Sequence, residues 1–208
     1  TGSVLALREP LPLRALSNAH DALGQADSLL SGVQFDALLD VLVTLWGRGY
    51  DGTRAVVLKA TSSAGRLAGP LLTRCVDARA IYLNLRAEPF LATLLAGPNS
   101  PSDLRGHGAE RMRRLMRILA IEPATPLHAL SLGELAAMSW LTETATQHQT
   151  LQRFGGRVIH FDFDAVLGDV AGSMARVTAH FGLPADERFL SGIARRMRRA
   201  TSPASSGC

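Results

Sequence analysis

Four short apolar runs punctuate the chain, and helical periodicity fills much of the space between them. Val4–Leu7 and Ala55–Leu58 are compact apolar segments, and Ala80–Leu85 is a run of apolar and β-prone residues without polar alternation. Runs of that length and character predict buried strands of a parallel sheet. A fourth run, Arg157–Phe163, alternates in part through Val158, Ile159, Phe161 and Phe163 and reads as a strand as well. Residues 11–32 hold no strong period and predict a loop with one or two short helices. Val33–Trp46 is apolar nearly all round, which predicts a helix buried on more than one side and stopped by Gly47 and Gly49. After the second strand, Thr61, Ser62 and Ser63 are helix-cap candidates, and Pro70 predicts a helix that is kinked or begins late, near Gly69.

The second half is more helical. Pro89 suits the first turn of a helix running to about Ala96. Pro98–Pro101 and Gly106–Gly108 predict a flexible loop. Glu110–Ile121 places Met112, Leu115, Met116 and Leu119 on one face and Arg113 and Arg117 on the other. Ser131 and Glu134 form a capping-box pattern opening a long helix. Its expected inner stripe is Ala137, Trp140, Leu141, Thr144, His148 and Leu151, with His148 a core histidine, and Gly155-Gly156 ends it. Asp164 is the expected cap of a helix with the stripe Val166, Val170, Met174, Val177 and Phe181, closed by Gly182 and Pro184. A last helix is expected over about Asp186–Arg199. Strands alternating with helices predict an α/β fold: three layers, with a mostly parallel sheet flanked by helices. One domain is expected over residues 1–200, with a disordered tail at 201–208.

In a parallel sheet the strand ends Arg8-Glu9, Lys59 and Arg86 share one edge, and ligands of open α/β sheets bind outside the carboxyl ends of strands. Arg86 stands where a strand end meets a helix N-terminus, a natural place for an anion. The competing reading is that Arg86 pairs with a nearby carboxylate and only caps its strand. For Glu9 the competing reading is a salt bridge to Arg8 or Arg14, and for Lys59 an exposed strand end. The acidic run His160-Phe161-Asp162-Phe163-Asp164 is read as structural rather than metal-binding.

Composition narrows the class. The 208 residues are 47% hydrophobic and 19% charged, ordinary for a globular chain. No apolar run approaches the length of a membrane span, so no membrane partner is expected, and the location is read as cytoplasmic. Cys75 and Cys208 make no disulfide framework, which fits a reducing compartment. The net charge is +4 with a pI of about 9.8, carried almost wholly by arginine; Lys59 is the only lysine. The chain holds no G-x-x-x-x-G-K-[ST], no G-x-G-x-x-G after a strand, no zinc-ligand spacing and no G-x-S-x-G.

The order of four segments resembles the P-loop sulfotransferases and their bacterial relatives. They are VLALREPLPLRAL (4–16), VVLKATSSAG (56–65), AIYLNLRAEPFLATLLAG (80–97) and RVIHFDFDAVLGDVAGSMARVTAHFGLP (157–184). The resemblance implies a P-loop NTPase-like fold and transfer of a sulfuryl group from the co-substrate 3′-phosphoadenosine 5′-phosphosulfate to a hydroxyl or amine of a small-molecule or peptide acceptor. It also implies that this chain begins just after the family's first strand and phosphate-binding loop, and so is a fragment.

Residue by residue, Arg86 resembles the arginine that binds the donor's 3′-phosphate. Leu94 occupies the place of the family's usual serine, and neighbouring Thr93 is its substitute. Lys59 resembles the lysine of the family's Lys-Thr-His segment, and Thr61 stands where a histidine base would be, so a histidine base is not supported. Glu9 resembles the glutamate that serves as base in members acting on protein tyrosines. Two alternatives belong to other classes: a P-loop small-molecule kinase, and a non-catalytic module using its basic helix faces. Nucleic acid ranks last among partners because those faces lack interleaved aromatic residues. A missing strand would leave an open sheet edge, for which self-association is the expected consequence.

Overall fold

The computed structural model describes residues 4–183 of the chain. The expected last helix and tail lie outside the described residues. Strands β1 (Val4–Arg8) and β2 (Ala55–Lys59) pair in parallel, in register from Val4 opposite Ala55 to Arg8 opposite Lys59. Strands β3 (Ala80–Asn84) and β4 (Val158–Asp162) also pair in parallel, from Ala80 opposite Val158 to Asn84 opposite Asp162. All four expected strands are present and parallel to their partners. They form two separate two-stranded sheets among the described residues rather than the single sheet the pattern predicts.

Between β1 and β2 lie α1 (Pro12–Ala22) and α2 (Gly32–Gly47). Ser31 opens α2 with a complete capping box closed by Gln34. A 3-10 segment, Ser62–Leu67, follows β2 and runs into α3 (Ala68–Arg74), the late start that Pro70 demands. After β3 come α4 (Ala87–Ala96), α5 (Ser100–Gly106) and α6 (Gly108–Leu119). The expected loop at 98–108 is therefore largely helical, because Leu104 is buried and anchors α5 against the later helices. The long helix α7 (Leu132–Phe154) has the capping box of Ser131 and Glu134 and ends at Gly155. Beyond β4 the chain forms α8 (Phe163–Gly168) and α9 (Val170–Phe181). Asp162 caps α8 and Asp169 caps α9, so Asp164 is not the cap and the expected single helix is broken in two. Among the described residues no helix is long and apolar enough to cross a membrane.

Three apolar clusters hold these elements. Leu13 and Leu16 of α1 meet Phe35 and Leu39 of α2 and Leu67 of the 3-10 segment. Leu104 of α5 meets Leu135, Ala136 and Met138 of α7. Leu72 of α3 meets Tyr82 of β3 and Val158 of β4. Tyr82 then links the two strand pairs: its hydroxyl donates to the Gly65 carbonyl at 2.8 Å and lies 3.2 Å from Thr150 Oγ1 of α7. Arg157 secures the start of β3 by donating to the carbonyls of Leu72, Cys75 and Ala78.

Two helices depart from their expected faces. Of α2 only Phe35 and Leu39 are fully buried, whereas Val33 is 81% and Val41 55% exposed. It packs on one side, where Leu42, Val43 and Trp46 are half-buried against the same cluster, and leaves Val33, Leu38, Val41 and Leu45 at the surface. In α7 the buried stripe is Leu135, Met138, Ser139, Thr142, Thr146 and Thr150, while Leu141 and His148 are exposed. The threonines can be inside because each hydroxyl donates to a carbonyl one turn earlier: Thr142 to Met138, Thr146 to Thr142 and Thr150 to Thr146. With the hydroxyl satisfied by its own helix, each threonine offers its neighbours a methyl group.

Candidate functional site

Each strand pair ends, at its carboxyl side, in one ion pair. At the first, the Lys59 ammonium donates to the carboxylate of Glu9, the residue immediately after β1. At the second, the guanidinium of Arg86, the residue at the N-terminus of α4, meets the Asp164 carboxylate at 2.9 Å. Asp164 sits in the first turn of α8, just beyond β4. The structure thus joins Glu9 to Lys59 and gives Arg86 the carboxylate partner of its simpler reading. Glu9 pairs with neither Arg8 nor Arg14. Thr93 lies exposed further along α4. No hydrogen bond or ion pair connects the two strand-end pairs among the described residues. All four charged side chains are substantially exposed.

Glu9 is distinguished by its backbone. It adopts φ +48°, in the left-handed region that residues other than glycine, asparagine and aspartate rarely enter. Its N–H donates to the Lys59 carbonyl at 2.8 Å, one step beyond the β1–β2 ladder. That bond holds the strained residue in place and turns its side chain back to the ammonium of the same lysine. The hydrogen bond from Lys59 lowers the Glu9 carboxyl pKa below the usual range, and the Lys59 charge acts in the same sense. Glu9 is therefore ionised at neutral pH, and its basicity is muted for as long as Lys59 holds it.

A second ensemble of charges is buried among α1, the 3-10 segment, α6 and α7. Arg66 pairs with Asp21 at 3.1 Å and with Glu110, and it donates to Asn18. Arg114 meets Asp21 at 3.3 Å and Glu143 at 2.6 Å. Arg117 reaches Asp21 at 3.1 Å from the surface. Burial raises the Glu143 pKa despite the opposing effects of Arg114, Arg66 and Arg111. The periodicity of α6 assigns Arg113 and Arg117 to the polar face and says nothing of Arg114, which lies between them and is buried. A cue was present: Glu110–Arg117 carries four arginines, more than a solvated face needs, and two of them, Arg114 and Arg117, find Asp21 and Glu143 on other helices. The pairing depends on tertiary contact, which periodicity does not report.

Among the described residues no cluster of histidine, cysteine and carboxylate side chains could hold a metal ion. Asp162 is engaged as a helix cap and Asp164 with Arg86. No family model, curated protein or solved structure matches the chain.

Proposed function

We propose that the chain is part of a sulfotransferase-like protein that passes a sulfuryl group from 3′-phosphoadenosine 5′-phosphosulfate to a hydroxyl or amine of a small-molecule or peptide acceptor. The proposal extends to a P-loop-type domain, with which two parallel strand pairs flanked by helices are compatible. The observation that carries it is the Glu9–Lys59 pair: a strained carboxylate held against the chain's single lysine at the carboxyl ends of parallel strands. Strain of this kind, of order 1–3 kcal/mol, clusters at functional sites.

Sulfuryl transfer, like phosphoryl transfer, is an in-line displacement with charge spread over equatorial oxygens, and the protein positions and neutralises. Lys59 faces the oxygen bridging sulfur and phosphate, whose bond to sulfur breaks. The acceptor oxygen or nitrogen forms the new bond to sulfur and gives its proton to Glu9. The desulfated nucleotide leaves with the bond's electron pair. In the resting pair Lys59 suppresses the basicity of Glu9. A donor anion that draws the ammonium away restores that basicity when the acceptor needs it. Arg86 exchanges Asp164 for the 3′-phosphate, and Thr93 supplies a hydroxyl along α4.

These 208 residues contain no glycine-rich phosphate loop. One charge-assisted contact from Arg86 contributes on the order of 1.5–3 kcal/mol. Millimolar binding needs roughly 4 kcal/mol. Calorimetric titration with 3′-phosphoadenosine 5′-phosphate tests this, using the 208-residue chain and the product of the complete reading frame. We expect the 208-residue chain not to bind, and the complete product to bind in an Arg86-dependent way. Absence of binding by the complete product overturns the proposal. Micromolar binding by the 208-residue chain, lost in Arg86→Ala, overturns the need for a further phosphate-cradling loop.

A further inference from the structure

The indole N–H of Trp140, on α7, donates to the Leu85 carbonyl at 2.9 Å. Leu85 lies one residue beyond β3, whose register with β4 ends at Asn84 opposite Asp162. Leu85 and Arg86 together make the whole connection between β3 and α4. The Leu85 carbonyl and the Arg86 N–H belong to one peptide group, which is planar. A bond that holds the carbonyl therefore holds the plane from which Arg86 departs.

The next peptide plane is held as well. The Arg86 carbonyl accepts from the Phe90 N–H at 3.1 Å, in the first turn of α4. The backbone on both sides of Arg86 is thus fixed, on one side by its own helix and on the other by a side chain 55 positions away. That side chain stands on a firm base. The turn of α7 just before Trp140 carries Leu135, Ala136 and Met138, and their cluster packs against Leu91 and Leu94 of α4. An indole has few torsions and one N–H to give, so it holds its acceptor in one direction.

From this base the Arg86 guanidinium reaches a single oxygen of Asp164, with Nε at 3.1 Å and Nη2 at 2.9 Å. The pair is open to water, and an exposed ion pair is a weak clamp on a long side chain. Asp164 alone does not set the path of Arg86; the backbone beneath it must contribute.

We propose that Trp140 is a positioning residue for Arg86. Its hydrogen bond to the Leu85 carbonyl aims the guanidinium across the carboxyl end of β3, toward Asp164 in the resting chain and toward the 3′-phosphate of the donor. The proposal deepens the reading of Arg86 given above and rests on it for the ligand. The contact with Asp164 does not depend on that reading, so the two can fail separately.

Trp140→Phe keeps the aromatic body and removes the donor. In the 208-residue chain the Arg86 Nε–Hε resonance should move to where Asp164→Asn places it, with circular dichroism unchanged. In the product of the complete reading frame, Trp140→Phe should weaken binding of 3′-phosphoadenosine 5′-phosphate about 5-fold. Binding of adenosine 5′-monophosphate, which lacks the 3′-phosphate, should not change. An unmoved Arg86 resonance in the folded variant, or equal weakening of both nucleotides, overturns the proposal; the latter is what a merely structural role produces. Should Trp140→Phe fail to fold, relaxation in the unaltered chain decides. Order parameters of about 0.85 for the Arg86 N–H and the Trp140 indole N–H are expected, and values below about 0.6 overturn the proposal. If the complete product binds neither nucleotide, the sulfotransferase reading fails, and the Arg86 resonance still decides whether Trp140 aims Arg86.

Discussion

The Arg114 guanidinium, on α6, reaches the Glu143 carboxylate, on α7, at 2.6 Å, and both side chains are largely withdrawn from water. The same guanidinium lies 3.3 Å from Asp21 of α1, so one arginine joins three helices. Removing one partner of a buried pair leaves uncompensated charge, at a cost of about 3–5 kcal/mol. Arg114→Ala should therefore destabilise the chain by that amount in urea unfolding. Arg117→Ala, at a side chain 54% exposed, should cost less than about 1 kcal/mol. Equal effects of the two changes would show that burial is not what makes the network matter.

Glu143 makes a prediction with a definite sign. Burial raises its folded-state pKa above the ordinary 4.5. Between the two values the folded state binds more protons than the unfolded, so stability falls as pH rises. The Glu143 contribution is fully present below about pH 4.5 and is lost as pH climbs through the raised pKa. Glu143→Gln should remove that slope. Unfolding free energies of the two proteins, measured from acid to neutral pH, should converge or cross; parallel curves would contradict the raised pKa.

His20 acts in the opposite sense. Its folded-state pKa is lowered, chiefly by burial, from 6.5. The stability it contributes is present above about pH 6.5 and is lost as pH falls through the lowered value. Titration of its ring protons by nuclear magnetic resonance should show the shift directly. A midpoint at or above 6.5 would contradict it.

At Glu9 the expected outcome separates strain from charge. Glycine adopts φ +48° without steric cost, so Glu9→Gly should raise stability by roughly 0.5–1 kcal/mol despite losing the exposed ion pair. Glu9→Gln keeps the strain and should change stability little. A loss of stability in Glu9→Gly would mean that the pair with Lys59 outweighs the backbone.

The threonines of α7 permit a test of side-chain role. Thr146→Val removes a hydroxyl whose only hydrogen bond among the described residues is to the Thr142 carbonyl of its own helix, and should lie within about 1 kcal/mol of the original. Thr146→Ser removes a buried methyl, worth about 0.8 kcal/mol before any cavity is counted. The serine variant should be the less stable of the two in urea.

The strands and the Ser131 cap were legible in the sequence because their causes are local. Ala80–Leu85 is apolar but for Asn84, and Ser131 with Glu134 is a capping box whatever surrounds it. The stripe of α7 was not legible, because a helix-satisfied threonine looks polar in composition and packs as an aliphatic. Nor was the one-sided packing of α2, since a residue such as Val33 carries no mark of whether anything covers it. For the candidate site, Glu9, Lys59 and Arg86 were legible as strand-end charges. Their partners were not, because Arg86 and Asp164 meet only through the β3–β4 pairing.

Tyr82 gives the molecule an optical reporter at its joint. The chain has only two tyrosines, and the other, Tyr50, is 81% exposed. Burial raises the pKa of the Tyr82 phenol, so its ionisation in alkaline solution is resisted for as long as the phenol stays enclosed. Any displacement of the β3–β4 pair from the 3-10 segment must break its bond to Gly65 and admit water to that ring. Tyrosinate absorbance near 295 nm, followed after a rapid jump to alkaline pH, therefore times the opening of the seam between the two strand pairs without any label.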